Sequence, residues 1–196
     1  LNHTELLQRI ASADEVAFSE FYEVFKDLVY RIAYSYLQNE QEAEELTQDV
    51  FVEIHRSAKT FNGKSSVSTW VYRIAVNKSL DKLRYLKARK RFGFISSIFS
   101  VGSSLPLEDS IADTSDHGTN ADKKEDLAML LSAMERLVAN QKTALILTQL
   151  EGLKGRQAAE IIGVTEKAVE GLIQRGKENL RKTLVAIYNQ RGKHTI

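Results

Sequence analysis

The sequence predicts an all-α fold, with two small helical bundles joined by a flexible linker and a helix-turn-helix (winged-helix-like) arrangement in the second. Three observations predict it. Apolar residues recur at helical spacing through most of the chain, while strand-like alternation is scarce. The single proline, Pro106, falls in a Gly/Ser-rich stretch where that spacing lapses. Formal charge also changes sign from segment to segment.

The first helix is expected over roughly Glu5–Ile10. Asp14 is placed to cap a second helix, whose apolar positions are Val16, Phe18, Phe21, Tyr22, Phe25, Leu28, Val29, Ile32, Ala33 and Tyr36. A third, about Gln41–Arg56, turns Ala43, Leu46, Val50, Phe51 and Ile54 inward and Glu42, Glu44, Glu45, Gln48, Asp49 and Glu53 outward. Phe61-Asn62-Gly63-Lys64-Ser65-Ser66 has the composition of a turn. Ser68 is the expected cap of a fourth helix that buries Trp70, Val71, Ile74, Ala75, Leu80 and Leu83. The first module thus takes 1–92 and the linker 93–125, a length unusual inside a compact domain and ordinary between two. The linker's apolar patch, FGFISSIFSVG, is expected to dock on the first module.

Helicity resumes near Asp126, opening a second module over 126–190. Leu127, Leu130, Leu131, Met134 and Leu137 space one helix; Thr143, Ala144, Leu147 and Leu150 space the next, up to Glu151-Gly152. A short helix from Gly155 to Ile162, a Gly163-Val164 turn and a Thr165 cap lead into a final helix reaching about Tyr188. Gly152–Leu184 therefore has helix-turn-helix spacing: Ala158, Ala159 and Ile162 buried on one helix, Val164 plugging the turn, and Val169, Ile173 and Leu180 on the other. Lys167, Gln174 and Arg175 are candidates for base or phosphate contact, and Glu170 for accepting from a cytosine amino group.

Composition sets the outer limits. A chain of 196 residues with 43% hydrophobic content accommodates one domain or two small ones. The absence of cysteine excludes disulfides and thiolate metal sites and makes the cytoplasm the expected setting. No run approaches the roughly 20 apolar residues of a membrane span. The opening LNHTELLQR has no signal-peptide core and no initiator methionine, which implies removal of something upstream.

The net charge of +1 conceals an alternation: −9 over 1–55, +10 over 56–91, −5 over 103–126 and +5 over 127–196. Segregation of this kind reads as separate surfaces for separate partners, or as acidic and basic faces paired within the chain. An enzyme is not expected. His3, His55, His117 and His194 are scattered, no glycine-rich phosphate loop is present, and Glu45 and Asp49 share a helix face without a histidine to complete a metal site. No cofactor is implied.

At these residues the chain resembles the extracytoplasmic-function sigma factors of bacterial RNA polymerase, which carry only sigma regions two and four. The resemblance covers roughly Ala17–Arg91 and Leu127–Leu184 and is carried by AEELTQDVFVEIHRSAKTFNG, STWVYRIAVNKSLDKLR and AAEIIGVTEKAVEGLIQRGKENLRKTL. It implies a subunit that binds RNA polymerase core, through the largest-subunit clamp helices and the flap, and directs it to promoter DNA. Core binding would fall to Glu45, Leu46, Gln48, Asp49, Phe51 and Val52. Capture of the −10 element would fall to Phe61, Asn62, Gly63, Lys64, Ser65, Ser66, Thr69, Trp70, Arg73, Asn77, Lys78 and Arg84. Reading of the −35 element would fall to Thr165, Glu166, Lys167, Glu170, Gly171, Gln174, Arg175 and Lys177. Many members of that group are held inactive by an anti-sigma factor. The chain departs from the common pattern at Leu137-Val138, where a leucine-proline is usual, and at Glu170 and Leu172, where many members have basic residues.

Chemistry supports the same division. The acidic third helix suits a basic protein partner and repels DNA; the basic end of the fourth, with Lys82, Arg84, Lys87, Arg89, Lys90 and Arg91, suits phosphate. Each unpaired base held in the Phe61–Ser66 loop would return ~1–3 kcal/mol when it also stacks. The acidic linker reads either as a solvated connector or as a nucleic-acid mimic within the polymerase. Two other readings stand beside this one. A stand-alone helix-turn-helix regulator would bind paired half-sites about 34–36 Å apart; an adaptor would use its acidic faces to imitate nucleic acid.

Overall fold

A computed structural model describes residues 2–99 and 120–191, with side chains over 2–91 and 126–190. Every element among the described residues is helical. The front bundle comprises α1 (His3–Ala11), α2 (Glu15–Leu37), α3 (Glu40–Ser57), a 3-10 turn (Ala58–Thr60) and α4 (Val67–Phe99). The rear bundle comprises α5 (Asn120–Glu135), α6 (Ala139–Leu145), a π turn (Ile146–Leu150), α7 (Gly155–Ile162) and α8 (Glu166–Arg191).

Short polar side chains start the front helices. Asp14 Oδ1 accepts from the Ala17 amide at 3.0 Å and Asn39 Oδ1 from that of Glu42 at 2.9 Å, satisfying donors that a helix start leaves open. The α2 stripe Phe21, Phe25, Val29, Ile32, Ala33 and Tyr36 is buried against Ala43, Leu46, Val50, Phe51 and Ile54 of α3 and Val71 and Ala75 of α4. Val16, expected inward, stands exposed, and Ala17 takes the buried position beside the cap.

The cap of α4 is Ser66 rather than Ser68. Ser66 Oγ accepts from the Thr69 amide at 3.1 Å, and its carbonyl accepts from the Trp70 amide at 3.0 Å. The loop closes early because Asn62 Oδ1 folds back onto the Lys64 amide at 3.1 Å and Gly63 takes a left-handed φ of 70°. At its other end α4 runs to Phe99, beyond the expected stop near residue 92, and α5 starts at Asn120, ahead of Asp126. Gly93 alone does not break a helix, and the first proline comes only at Pro106. Docking of the apolar patch and the linker at 100–119 lie outside the described side chains.

In the rear bundle Leu127 and Leu130, expected inward, are exposed; α5 is buried at Ala133, and Leu137, just past its end, is buried as well. Val138 enters α6 at φ −63°, the value a proline ring imposes, reached here without the ring. After Leu145 the helix widens, and the Glu151 amide bonds back to the Ile146 carbonyl at 3.0 Å. Gly163 ends α7 at φ 79°, with its own amide and that of Val164 bonded to the Ala159 carbonyl at 2.9 and 3.1 Å. Val164, at 36% exposure, covers the turn only in part, and Ile161 is buried more fully than Ile162. Thr165 caps α8 as expected, its Oγ1 accepting from the Ala168 amide at 3.2 Å. One apolar cluster runs through both bundles, which pack α4 against α7.

Candidate nucleic-acid and protein interfaces

The outer side of α3 presents Glu45, Gln48 and Asp49 to water, with Val52 beside them at 54% exposure. Leu46 and Phe51, expected among the contact residues, are only 2% and 3% exposed. Phe51 is packed by the ring of Tyr22 at 4.6 Å and edge-on by Phe18 at 6.4 Å. Both side chains hold α3 in place from beneath and cannot touch a partner while the bundle stays folded.

The acidic and basic helices are partly paired with each other. Lys82 bridges Glu42 and Glu45, and Lys78 pairs with Glu53 at 3.2 Å. Glu42 first, then Glu45, raises the Lys82 ammonium above its ordinary range. Lys78 therefore faces α3, away from the candidate DNA side. Glu44 and Asp49 make no ion pair among the described residues, so α3 keeps free negative charge beside Val52.

The loop before α4 is held from within. Asn62 has its oxygen committed to Lys64 and its amide hydrogens open to solvent. Phe61 stands edge-on to Trp70, ring centres 5.4 Å apart, both partly buried. Lys64 and Ser66 are exposed, and Ser65 partly so. Thr69 is buried, its hydroxyl 2.9 Å from Ser66 Oγ; it braces the cap and is not available to a base. Arg73, Asn77 and Arg84 share one side of α4 by helical phase. Asn77 is free on the surface, Arg84 pairs with Asp81 at 2.9 Å, and Arg73 donates through Nε and Nη2 to the Glu160 carbonyl at 2.9 and 2.6 Å.

On α8 the expected reading residues emerge together. Thr165, Glu166, Lys167, Glu170, Gln174, Arg175 and Lys177 are exposed, and Gly171 is partly so, lying under the Arg175 guanidinium. The opposite side buries Val169 and Gly176 and partly buries Leu172 and Ile173. A helix with its front turns bare and its back packed on α6 and α7 can enter a major groove without unfolding anything.

Sequence reasoning missed a polar set between the bundles: Arg31, Tyr36 and Tyr72 in front, and Lys142, Thr143 and Glu151 behind. The only signal was that core tyrosines need a partner for the hydroxyl. Among the described residues no group of three or more His, Asp or Glu is placed to hold a metal, and no helix is long and apolar enough to cross a membrane.

Comparison with known proteins finds two matched segments, one in each bundle. The family model "Sigma-70 region 2" matches residues 21–91 and "Sigma-70, region 4" matches 127–180. The ECF RNA polymerase sigma factor SigW of Bacillus subtilis is 26% identical over 186 residues, covering 91% of this chain and 94% of that protein. The structure of CnrH in complex with the cytosolic domain of CnrY has the same fold, with a TM-score of 0.66, 22% identity and coverage of 95% of this chain and 99% of the other. RpoE of Bartonella quintana, solved with the anti-sigma factor NepR, aligns at a TM-score of 0.55 and 21% identity over 85% of this chain and 96% of its own.

Proposed function

The chain belongs to the sigma-70 family, with regions 2 and 4 and the role of directing RNA polymerase to promoters, and from that premise we propose which of its surfaces meets which partner. The front bundle, 1–92, is the region 2 module; the rear bundle, 126–190, is the region 4 module. Core polymerase docks on Glu45, Gln48, Asp49 and Val52, where the unpaired Asp49 carboxylate and the Lys82-paired Glu45 share a side with an exposed aliphatic group; Leu46 and Phe51 support that patch from below. The −10 strand meets Asn62, Gly63, Lys64, Ser65 and Ser66, with Phe61 and Trp70 as the wall of the base pocket, and runs on along Arg73, Asn77 and Arg84. The −35 duplex takes the exposed front of α8, from Thr165 to Lys177.

The observation that carries this reading is the α8 face: seven of the eight expected reading residues are exposed, on the cap and front turns of a helix whose other side is packed. The work is binding and strand separation, done in the cytoplasm where polymerase is, and the family is a non-catalytic one. An anti-sigma partner is proposed on the ground that CnrH and RpoE were solved with CnrY and NepR.

Gel shift on promoter fragments, with and without polymerase core, tests the reading. The expected result is weak binding alone and a specific complex with core. Autonomous footprinting of a palindromic duplex, with no response to core, would overturn it in favour of a stand-alone regulator.

A further inference from the structure

Most aromatic rings of the front bundle are already engaged. Phe21 packs on Phe25, Phe18 and Tyr22 on Phe51, Tyr30 on Tyr34 and Phe61 on Trp70. The hydroxyls of Tyr36 and Tyr72 are hydrogen-bonded. Tyr85 of α4 is different: it is 60% exposed, and among the described residues no other ring and no cation is seated on it. It stands where α4 runs out of core. Ser79 is the last fully buried residue of that helix whose side chain is described, and Leu80, Leu83 and Leu86 are only half-buried. Lys82–Arg91 carries six cations and no acid. Lys82 is engaged by Glu42 and Glu45, and Arg84 by Asp81. Lys87, Arg89, Lys90 and Arg91 are exposed and make no ion pair among the described residues.

Eight residues separate Tyr85 from Asn77, a rise of about 12 Å and a net turn of about 80°. The ring therefore borders the side of α4 proposed for the −10 strand, just past Arg84, with Arg89 one turn further along. A single exposed tyrosine is ordinary on a protein surface. One fixed on a rigid helix among unpaired cations has both things that hold an unpaired strand whatever its sequence: a flat face that replaces lost base stacking, and positive charge for phosphate. Duplex DNA presents the same phosphates but keeps the faces of its bases covered. We propose that the basic end of α4 holds unpaired DNA beyond the −10 element, with Tyr85 stacked on one base and Arg89 and Arg91 against the flanking phosphates. The Phe61–Trp70 pocket encloses its base, whereas Tyr85 accepts any base by its face alone. This site rests on the reading of α4 as the path of the −10 strand and gives that path a second anchor, so rewinding has to break two contacts.

The test takes the full chain without polymerase and a dye-labelled thymidine oligomer of about 12 nucleotides, with binding read by fluorescence anisotropy at low salt. Tyr85→Ala should weaken binding about 5- to 100-fold, and Tyr85→Phe, which keeps the ring, should stay near wild type. On an oligomer of abasic sites, which keeps every phosphate and removes every base, wild type and Tyr85→Ala should bind alike. Arg89→Gln with Arg91→Gln should lower the slope of log affinity against log salt by about 1.4, as two lost phosphate contacts require, while Tyr85→Ala leaves the slope unchanged. Thermal unfolding should be unaltered in each variant, because all three side chains are exposed. An equal loss on the abasic oligomer or on a duplex of the same length would overturn the stacking site, as would a wild-type chain that does not bind the thymidine oligomer. If Tyr85→Ala binds normally while Asn77→Ala binds poorly, the stacking site is wrong and the strand path stands. The reverse pattern keeps the stacking site and removes the path.

Discussion

Gly176 of α8 lies against Leu145 of α6 so closely that a Cβ on it would stand 3.1 Å from Leu145 Cδ1 and 3.4 Å from Gln141 Cβ. The helices meet here because one has no side chain. Gly176→Leu should force them apart and destabilise the rear bundle by ~1–3 kcal/mol, as overpacking does. Urea unfolding checks this, and duplex binding should weaken in parallel because α8 loses its seat.

Val138 offers the opposite case. Its φ of −63° suits proline, it is exposed, and its amide makes no hydrogen bond among the described residues. Val138→Pro should stabilise the fold by ~0.4–1 kcal/mol by restricting the unfolded chain. A rise in Tm with unchanged DNA binding is the expected measurement.

Lys142 makes stability depend on pH. Burial lowers its ammonium pKa from 10.5 to about 8, with Glu135 opposing the shift and Lys87 adding to it. The side chain faces the carbonyl and ring of Tyr36. The folded chain thus holds the proton less tightly than the unfolded one. The Lys142 contribution should be complete above pH 10.5 and lost as pH falls through about 8, so stability rises with pH across that window. Lys142→Met removes the titration. The difference in Tm between wild type and variant, followed from pH 7.5 to about 10, should narrow as pH rises; a constant difference would contradict the assignment.

Two substitutions on α3 separate contact from support. Val52→Asp alters an exposed residue and should cut association with polymerase core about tenfold or more at unchanged Tm. Leu46→Ala, at a buried residue, should cost ~2–5 kcal/mol of stability and lose core binding only as the bundle unfolds. Pull-down beside thermal unfolding distinguishes them.

How far these features could be read from sequence follows from the range of the forces involved. The α2 and α3 stripes, the Asp14 and Thr165 caps and the Gly163 turn were legible because each is settled within a few residues of chain. The α8 face was legible because one helical period sorts packed from bare positions. Ser66 and Ser68 suit the cap of α4 equally by residue type, and only the Asn62–Lys64 bond decides where the loop closes. The spacing alone makes Leu46 and Phe51 core; only the family resemblance makes them contacts. Glu151, Lys142 and the closeness of Gly176 to Leu145 were invisible, since each is defined by a neighbour that sequence distance conceals.

The π turn at Ile146–Leu150 has a consequence for insertions and deletions. It spends one residue more than an ordinary helical turn, and each residue advances a helix by about 100°. Removing Thr148 would let that stretch wind as an ordinary turn with Glu151 still directed at Arg31 and Tyr72, whereas an added residue would swing Glu151 by roughly that angle. A codon can be lost here with the two modules still joined, whereas a codon gained would disconnect them.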